Sequence, residues 1–233
     1  RNVGLEHAKG KWLLFADADD FFHIDKFQIL DQFQQSSSDI IYMRVDSVYS
    51  DTLEKAKRGR YIDLWINSYL KTNDDSELRY RCYVTWGKMI KKSLVDKYNL
   101  RFDETYVAND MMFSIKTGFC ANEVSVINEI IYCVTMRYDS LTYGSTGYSA
   151  SLCRYKVALN VNAFLRKINK KQYQCSLIRQ ALRLFKYGIK SFIEVMQLAK
   201  AANMNILTGF SLSRFIRSRL FSLYPSLFKF KHK

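Results

Sequence analysis

Apolar residues in the first part of the chain fall into short runs separated by polar breaks. Residues 12–16 (WLLFA) form one such run and lead into Asp17-Ala18-Asp19-Asp20. A compact apolar run that stops at acids reads as a buried strand with carboxylates at its C-terminal end. Ile24, Phe27, Leu30 and Phe33 recur at helical spacing and predict a helix over 24–35, ended by Ser36-Ser37-Ser38. Residues 39–45 (DIIYMRV) predict a second strand, and the polar, charged 46–60 predict a loop or exposed hairpin. A helix is expected over 61–70, a polar turn over 72–77, and a strand-like stretch over 83–90 kinked at Gly87-Lys88. Residues 92–98 suit a short helix. Another helix opens at Asn109 and Asp110 and runs to 119, and β-branched strands occupy 124–127 and 130–135. Strands interleaved with helices define an α/β class.

After residue 150 the texture changes. Helical patterns run through 151–168 and 173–200 without a convincing strand, and 203–209 breaks them. Leu212, Phe215, Ile216, Leu220 and Leu223 then fall on one helical face, with Arg214 and Arg217 on the other. The chain therefore divides into an α/β part over 1–148 and an all-helical part over 149–233.

Charge sharpens this division. The whole chain carries +14, but residues 1–150 hold 19 basic and 21 acidic side chains, a net of −2. Residues 151–233 hold 17 basic side chains and one acid, Glu194, a net of +16. A basic segment that alternates Arg and Lys with Leu, Ile and Phe suits an interfacial helix on anionic lipid. Plain packing of a basic helical subdomain is the bland alternative. No helix-turn-helix, zinc or RNP pattern is present, so nucleic acid is not the expected partner. No run of about 20 apolar residues marks a membrane span. Hydrophobic residues make up 48% of the chain, enough for a sizeable core and too many for a mostly disordered chain. Five cysteines without a C-x-x-C pair read as buried small hydrophobes in a reducing compartment.

Two places could carry chemistry. Acids clustered beyond a strand end are costly unless hydrated or bound to a cation, and ligands of open α/β sheets sit beyond those ends. Asp17 and Asp19, at i and i+2, can coordinate a hard divalent ion; a solvated turn is the bland alternative. Asp110 at a helix start gains from the helix dipole whether or not it is functional. His7 and His23 lack the spacing of a metal site and read as surface or loop residues. Lys88 reads as a phosphate contact or, preferably, a surface charge.

Taken together, the motifs resemble a known family. Arg1-Asn2-x-Gly4, Ala8-x-Gly10 and the strand into Asp17-x-Asp19-Asp20 come first. Trp86-Gly87-Lys88-Met89-Ile90-Lys91-Lys92-Ser93, Asn99-Leu100-Arg101-Phe102-Asp103-Glu104 and Asn109-Asp110-Met111-Met112-Phe113 follow in order. This series resembles the family 2 glycosyltransferases of GT-A fold, the Rossmann-like nucleotide-diphospho-sugar transferases of bacterial polysaccharide synthesis. The resemblance implies an inverting enzyme that moves a sugar from a nucleotide-diphospho-sugar to a hydroxyl of a saccharide or polyprenyl-linked acceptor. Asp17 and Asp19 would hold Mg²⁺ or Mn²⁺, with Asp17 also facing the donor. Asp110 would be the general base, and Asp20 would orient the site or touch the sugar. Trp86 would line the pocket or simply pack, Arg137 would meet a phosphate or solvent, and Asn109 would adjoin the substrate. The family usually has Glu where Asn109 stands; Asn cannot take a proton, so Asp110 would act without a like-charged neighbour.

The family's opening strand and nucleoside loop are absent from this sequence. A truncated GT-A domain followed by a helical segment is therefore expected, inactive in isolation and peripheral at the cytoplasmic face of the plasma membrane. Two other readings remain: a haloacid-dehalogenase-type phosphatase, which also has D-x-D after a strand, and a non-catalytic membrane-surface adaptor on a degenerate transferase fold.

Overall fold

The computed structural model describes residues 1–137, 147–213 and 216. The chain forms two compact units, Arg1–Gly147 and Tyr148–Lys233.

The first unit is built on a five-stranded sheet of order β1-β4-β3-β5-β2. Its strands are β1 (Trp12–Leu14), β2 (Phe21–Phe22), β3 (Ile40–Tyr49), β4 (Lys88–Lys91) and β5 (Val124–Met136). Central β3 and β5 run parallel, and the other pairings are antiparallel. Helices α1 (Asn2–His7), α2 (Ile24–Phe27), α3 (Arg60–Thr72), α4 (Ser76–Arg81), α5 (Lys92–Lys97) and α6 (Asp110–Cys120) connect or cover them. Alternation along β3 sends Ile40 and Tyr42 to one face and Ile41 and Met43 to the other. The first face packs with Leu5 of α1, Ile62 and Ile66 of α3, Leu78 of α4 and Phe113 of α6. The second is covered more thinly, by Leu30 with part-buried Ile29 and Phe33.

Several elements depart from the expectation, each for a physical reason. The helix expected over 24–35 is a single turn, α2, followed by a 3₁₀ helix over Gln28–Phe33. Its apolar residues recur every three positions, which is the 3₁₀ period rather than 3.6. The two strands expected over 124–135 are one strand with an irregular register. Met43 pairs Ile127 but Arg44 pairs Ile130, so the polar Asn128-Glu129 is a bulge inside β5 rather than a break. Arg44 fills that bulge, its Nε donating to Asn128 Oδ1 at 2.7 Å. Strand β3 extends to Tyr49, and a Val48–Lys55 bridge makes the following loop a short hairpin. Within the expected turn, Ser76 opens α4, steadied by i,i+4 ion pairs of Arg79 with Asp75 and Arg81 with Glu77. Residues 83–86 form no strand: β4 begins after Gly87, whose φ of +69° suits glycine.

The second unit is helical in its described residues: α7 (Tyr148–Lys167), a 3₁₀ turn at Lys171–Tyr173, α8 (Leu177–Phe185) and α9 (Ile189–Ala201). Tyr155, Leu159, Leu177, Leu184 and Val195 form its core. The buried Asn162 side chain bridges to the Cys175 backbone through both its amide atoms, at 2.9 and 2.7 Å. Among the described residues no helix is long and apolar enough to cross a membrane. The amphipathic face expected from Leu212 to Leu223 lies almost wholly outside the described residues, as do residues 138–142 beyond Arg137.

Candidate active site

The acids after β1 sit in a turn whose shape is set by β5. The Asp20 amide donates to the Asp17 carbonyl at 3.1 Å, closing the turn. The Tyr132 hydroxyl accepts from the Asp17 amide at 3.0 Å and donates to Asp20 Oδ2 at 2.7 Å. The Thr135 amide donates to Asp20 Oδ1 at 2.8 Å, and its hydroxyl donates to the Asp19 carbonyl at 2.6 Å. Both Asp20 oxygens are thus engaged by the protein. Burial raises the Asp20 pKa, and the bonds from Tyr132 and Thr135 oppose that rise. Asp17 is part-exposed and Asp19 exposed, and the Asp19 carboxylate has no protein partner among the described residues.

Arg1 draws this turn to a second element. Its guanidinium donates to Asp17 Oδ1 at 2.7 Å and to Asn109 Oδ1 at 3.3 Å, and lies 3.9 Å from Asp110 Oδ2. Asn2 fixes the approach. Its side chain donates to the Phe102 carbonyl at 3.0 Å and accepts from the Phe102 amide at 2.8 Å. The Arg1-Asn2 pair therefore clamps the 101–104 segment, which leads into α6. Asn109 is the N-cap of α6, and Asp110 is its first residue.

Asp110 is largely shielded from solvent. Burial raises its pKa, while Arg1 and Lys88 pull it down. Lys88, expected at the surface, is buried at 2% exposure because it lies on β4, an interior strand between β1 and β3. Its ammonium donates to the Cys82 carbonyl at 2.8 Å and sits 5.1 Å over the Tyr42 ring. Burial lowers its pKa, since the charged form loses hydration. Trp86 is also 2% exposed. Its indole stacks on Tyr132 with centroids 6.0 Å apart, so it lies beneath the acid turn rather than in an open cleft. Arg137 is exposed at the end of β5.

The structure thus brings Asp17, Asn109 and Asp110 to one guanidinium and ties Asp20 into the turn. Tyr132 and Thr135, which shape that turn, carry no sequence signal. They are ordinary residues of a β-branched strand until the register of β5 is known. His23, expected as a surface or loop residue, is half-buried with Nε2 3.1 Å from Asp46 Oδ1.

A mixed α/β sheet with acids beyond the end of β1, facing an acid at a helix start, is the arrangement that the sequence resemblance implies. Residues 1–98 match the family model described as Glycosyl transferase family 2. The chain is 24% identical over 178 residues to "Putative glycosyltransferase EpsH" of Bacillus subtilis, covering 73% of this chain and 50% of EpsH. It is 28% identical over 153 residues to EpsJ of the same organism, covering 61% of this chain and 42% of EpsJ. The chain spans about half the length of the curated relatives it matches. Among solved structures, S. aureus TarS 1–349 in complex with UDP-GlcNAc superposes with a TM-score of 0.56 at 18% identity, covering 84% of this chain and 58% of TarS 1–349. A second crystal structure of S. aureus TarS 1–349 gives the same TM-score at 19% identity, covering 84% of this chain and 59% of that one. The fold is GT-A, followed by a helical C-terminal region.

Proposed function

We propose that this chain is part of an inverting glycosyltransferase that moves a sugar from a nucleotide-diphospho-sugar to an acceptor hydroxyl in cell-surface polysaccharide synthesis. The carrying observation is the convergence of Asp17 and Asp110, far apart in sequence, on the Arg1 guanidinium. The S. aureus TarS complex with UDP-GlcNAc supports a nucleotide-sugar donor. The acceptor is a saccharide, free or polyprenyl-linked.

Asp110 is the general base. Burial keeps its pKa above the ordinary carboxylate value, which favours proton uptake nearer neutrality. Its neighbour Asn109 is neutral and adds no repulsion. The acceptor hydroxyl gives its proton to an Asp110 oxygen as its own oxygen bonds the anomeric carbon, and the bond to the diphosphate breaks. Arg1 holds Asp110 and Asp17 in mutual register. Asp20, bound at both oxygens, positions the turn, and Trp86 supports it from below through Tyr132.

The donor set fits a divalent cation: Asp17 and Asp19 offer hard carboxylate oxygens, and Asp19 is open to solvent. Mg²⁺ or Mn²⁺ held there would supply neutralisation of the departing diphosphate.

The second unit suits peripheral attachment to the inner face of the plasma membrane. Leu182, Phe185, Ile189 and Ile193 are exposed on α8 and α9, in a segment whose net charge is strongly positive. Flotation with anionic vesicles at physiological salt tests this, and failure to co-float refutes it.

The transfer reading is tested with Asp17→Ala and Asp110→Asn in the full-length protein. Both are expected to abolish sugar transfer while preserving the circular dichroism spectrum. Transfer at the wild-type rate by either variant refutes the assigned roles.

A further inference from the structure

Two adjacent strands and the residue that follows a third bring three metal-ligating side chains to a single spot. Asp46 of β3 and Cys133 of β5 are direct cross-strand partners in the parallel ladder. On the other side of β5, Phe21 of β2 pairs with Cys133, and His23 follows β2 directly. The His23 amide donates to the Ile131 carbonyl at 2.9 Å, which anchors the His23 backbone on β5 close to Cys133. The His23 nitrogen, the Asp46 oxygen and the Cys133 sulfur all lie within 4.8 Å of one another. His23 and Asp46 are part-exposed at 31% and 34% of their side-chain surface, while Cys133 is fully buried.

We propose that His23, Asp46 and Cys133 form a transition-metal site for Zn²⁺, separate from Asp17 and Asp19. The ligand chemistry selects the metal. A thiolate and an imidazole suit Zn²⁺ and disfavour Mg²⁺, which the all-oxygen pair Asp17–Asp19 would take. Three protein ligands leave a fourth tetrahedral position for water on the exposed side. With Zn–N near 2.0–2.1 Å and Zn–S near 2.3 Å, tetrahedral ligand atoms stand about 3.3–3.8 Å apart. The ligand atoms, all within 4.8 Å of one another, already stand near that spacing.

In the metal-free protein Cys133 is a thiol. Burial first, and then its hydrogen bond to Asp46, push its pKa up to about 12. Binding forms the sulfur–metal bond and releases the thiol proton to solvent, so affinity rises with pH. The site has a structural consequence. Cys133 lies two residues from Thr135, which holds Asp19 and Asp20, and His23 lies three residues beyond Asp20. A bound ion would pin both flanks of the acid turn.

Co²⁺ titration of the full chain tests the site, with Co²⁺ as a spectroscopic stand-in for Zn²⁺. One equivalent is expected to give a thiolate-to-cobalt charge-transfer band and tetrahedral d–d bands, both displaced by Zn²⁺. Cys133→Ser should abolish the charge-transfer band, and His23→Gln should weaken Co²⁺ binding by at least about tenfold. The band should persist in Asp19→Asn, which separates this site from the acid turn, and in the triple variant Cys120→Ser, Cys153→Ser, Cys175→Ser. Absence of the band in the wild type, its survival in Cys133→Ser, or its loss in the triple variant overturns the proposal. Should Cys133→Ser fail to fold, natively folded His23→Gln and Asp46→Asn decide: undiminished Co²⁺ affinity in both overturns it equally.

Discussion

Tyr132→Phe removes one hydroxyl and nothing else from beneath the acid turn. That hydroxyl holds the Asp17 amide at 3.0 Å and the Asp20 carboxylate at 2.7 Å. A hydrogen bond between neutral groups contributes about 1 kcal/mol net, and one to a charged group about 1.5–3 kcal/mol. Asp20 is only half-buried, so water partly replaces the lost partner, and the expected loss at neutral pH is about 2–3 kcal/mol. The pH dependence follows from Asp20. Its folded-state pKa lies above the ordinary 3.8, and the Tyr132 bond opposes that rise. Without the hydroxyl the folded-state pKa climbs further, so the folded protein binds this proton more tightly than the unfolded chain does. The contribution of Asp20 to stability is then fullest below 3.8 and is lost as pH rises through the folded-state value, further in the variant than in the wild type. Urea unfolding monitored by tryptophan fluorescence, which senses Trp86 against Tyr132, should show a gap between the two proteins that narrows in acid. Equal urea midpoints at neutral pH, or a gap that does not change with pH, would refute the reasoning.

The other consequences are as direct. Gly118→Ala places a Cβ 2.4 Å from the Arg79 carbonyl, where α4 and α6 cross, and should cost about 1–3 kcal/mol as overpacking, read as a lower Tm; an unchanged Tm would show that the crossing yields freely. Asn2→Ala removes both bonds to the Phe102 backbone and should cost about 1–2 kcal/mol in urea unfolding, with a proportionate loss of any transfer activity as Arg1 loosens. Because burial raises the Asp110 pKa, the acid limb of kcat/KM for the full-length protein should fall at an apparent pKa above 3.8; a limb at or below that value would exclude Asp110 as its source.

Much of this architecture is visible in the sequence. The run 12–16 ending in acids, the helix opening at Asp110 and the strand from Ile40 each rest on local pattern, and local pattern survives folding when burial and periodicity agree. The change to helices and strong positive charge after residue 150 is equally local. Where the reading failed, the cause was an ambiguity that only neighbours resolve. A three-residue apolar period served a 3₁₀ helix, and a polar pair in β5 served a bulge filled by Arg44.

What the chain alone could not decide is which residues meet. Lys88 is a charge beside a glycine until β4 is placed between β1 and β3, where the side chain takes the Cys82 carbonyl and the Tyr42 ring as partners. Tyr132 becomes the support of the acid turn only because β5 lies between β3 and β2. The same strand order puts His23, Asp46 and Cys133 in one row, although their spacing in sequence has no metal-site signature. Sequence determines the period and chemistry of each segment, because those depend on a few successive residues. The contacts between segments depend on strand order and register, which are fixed only when the whole sheet closes over its core.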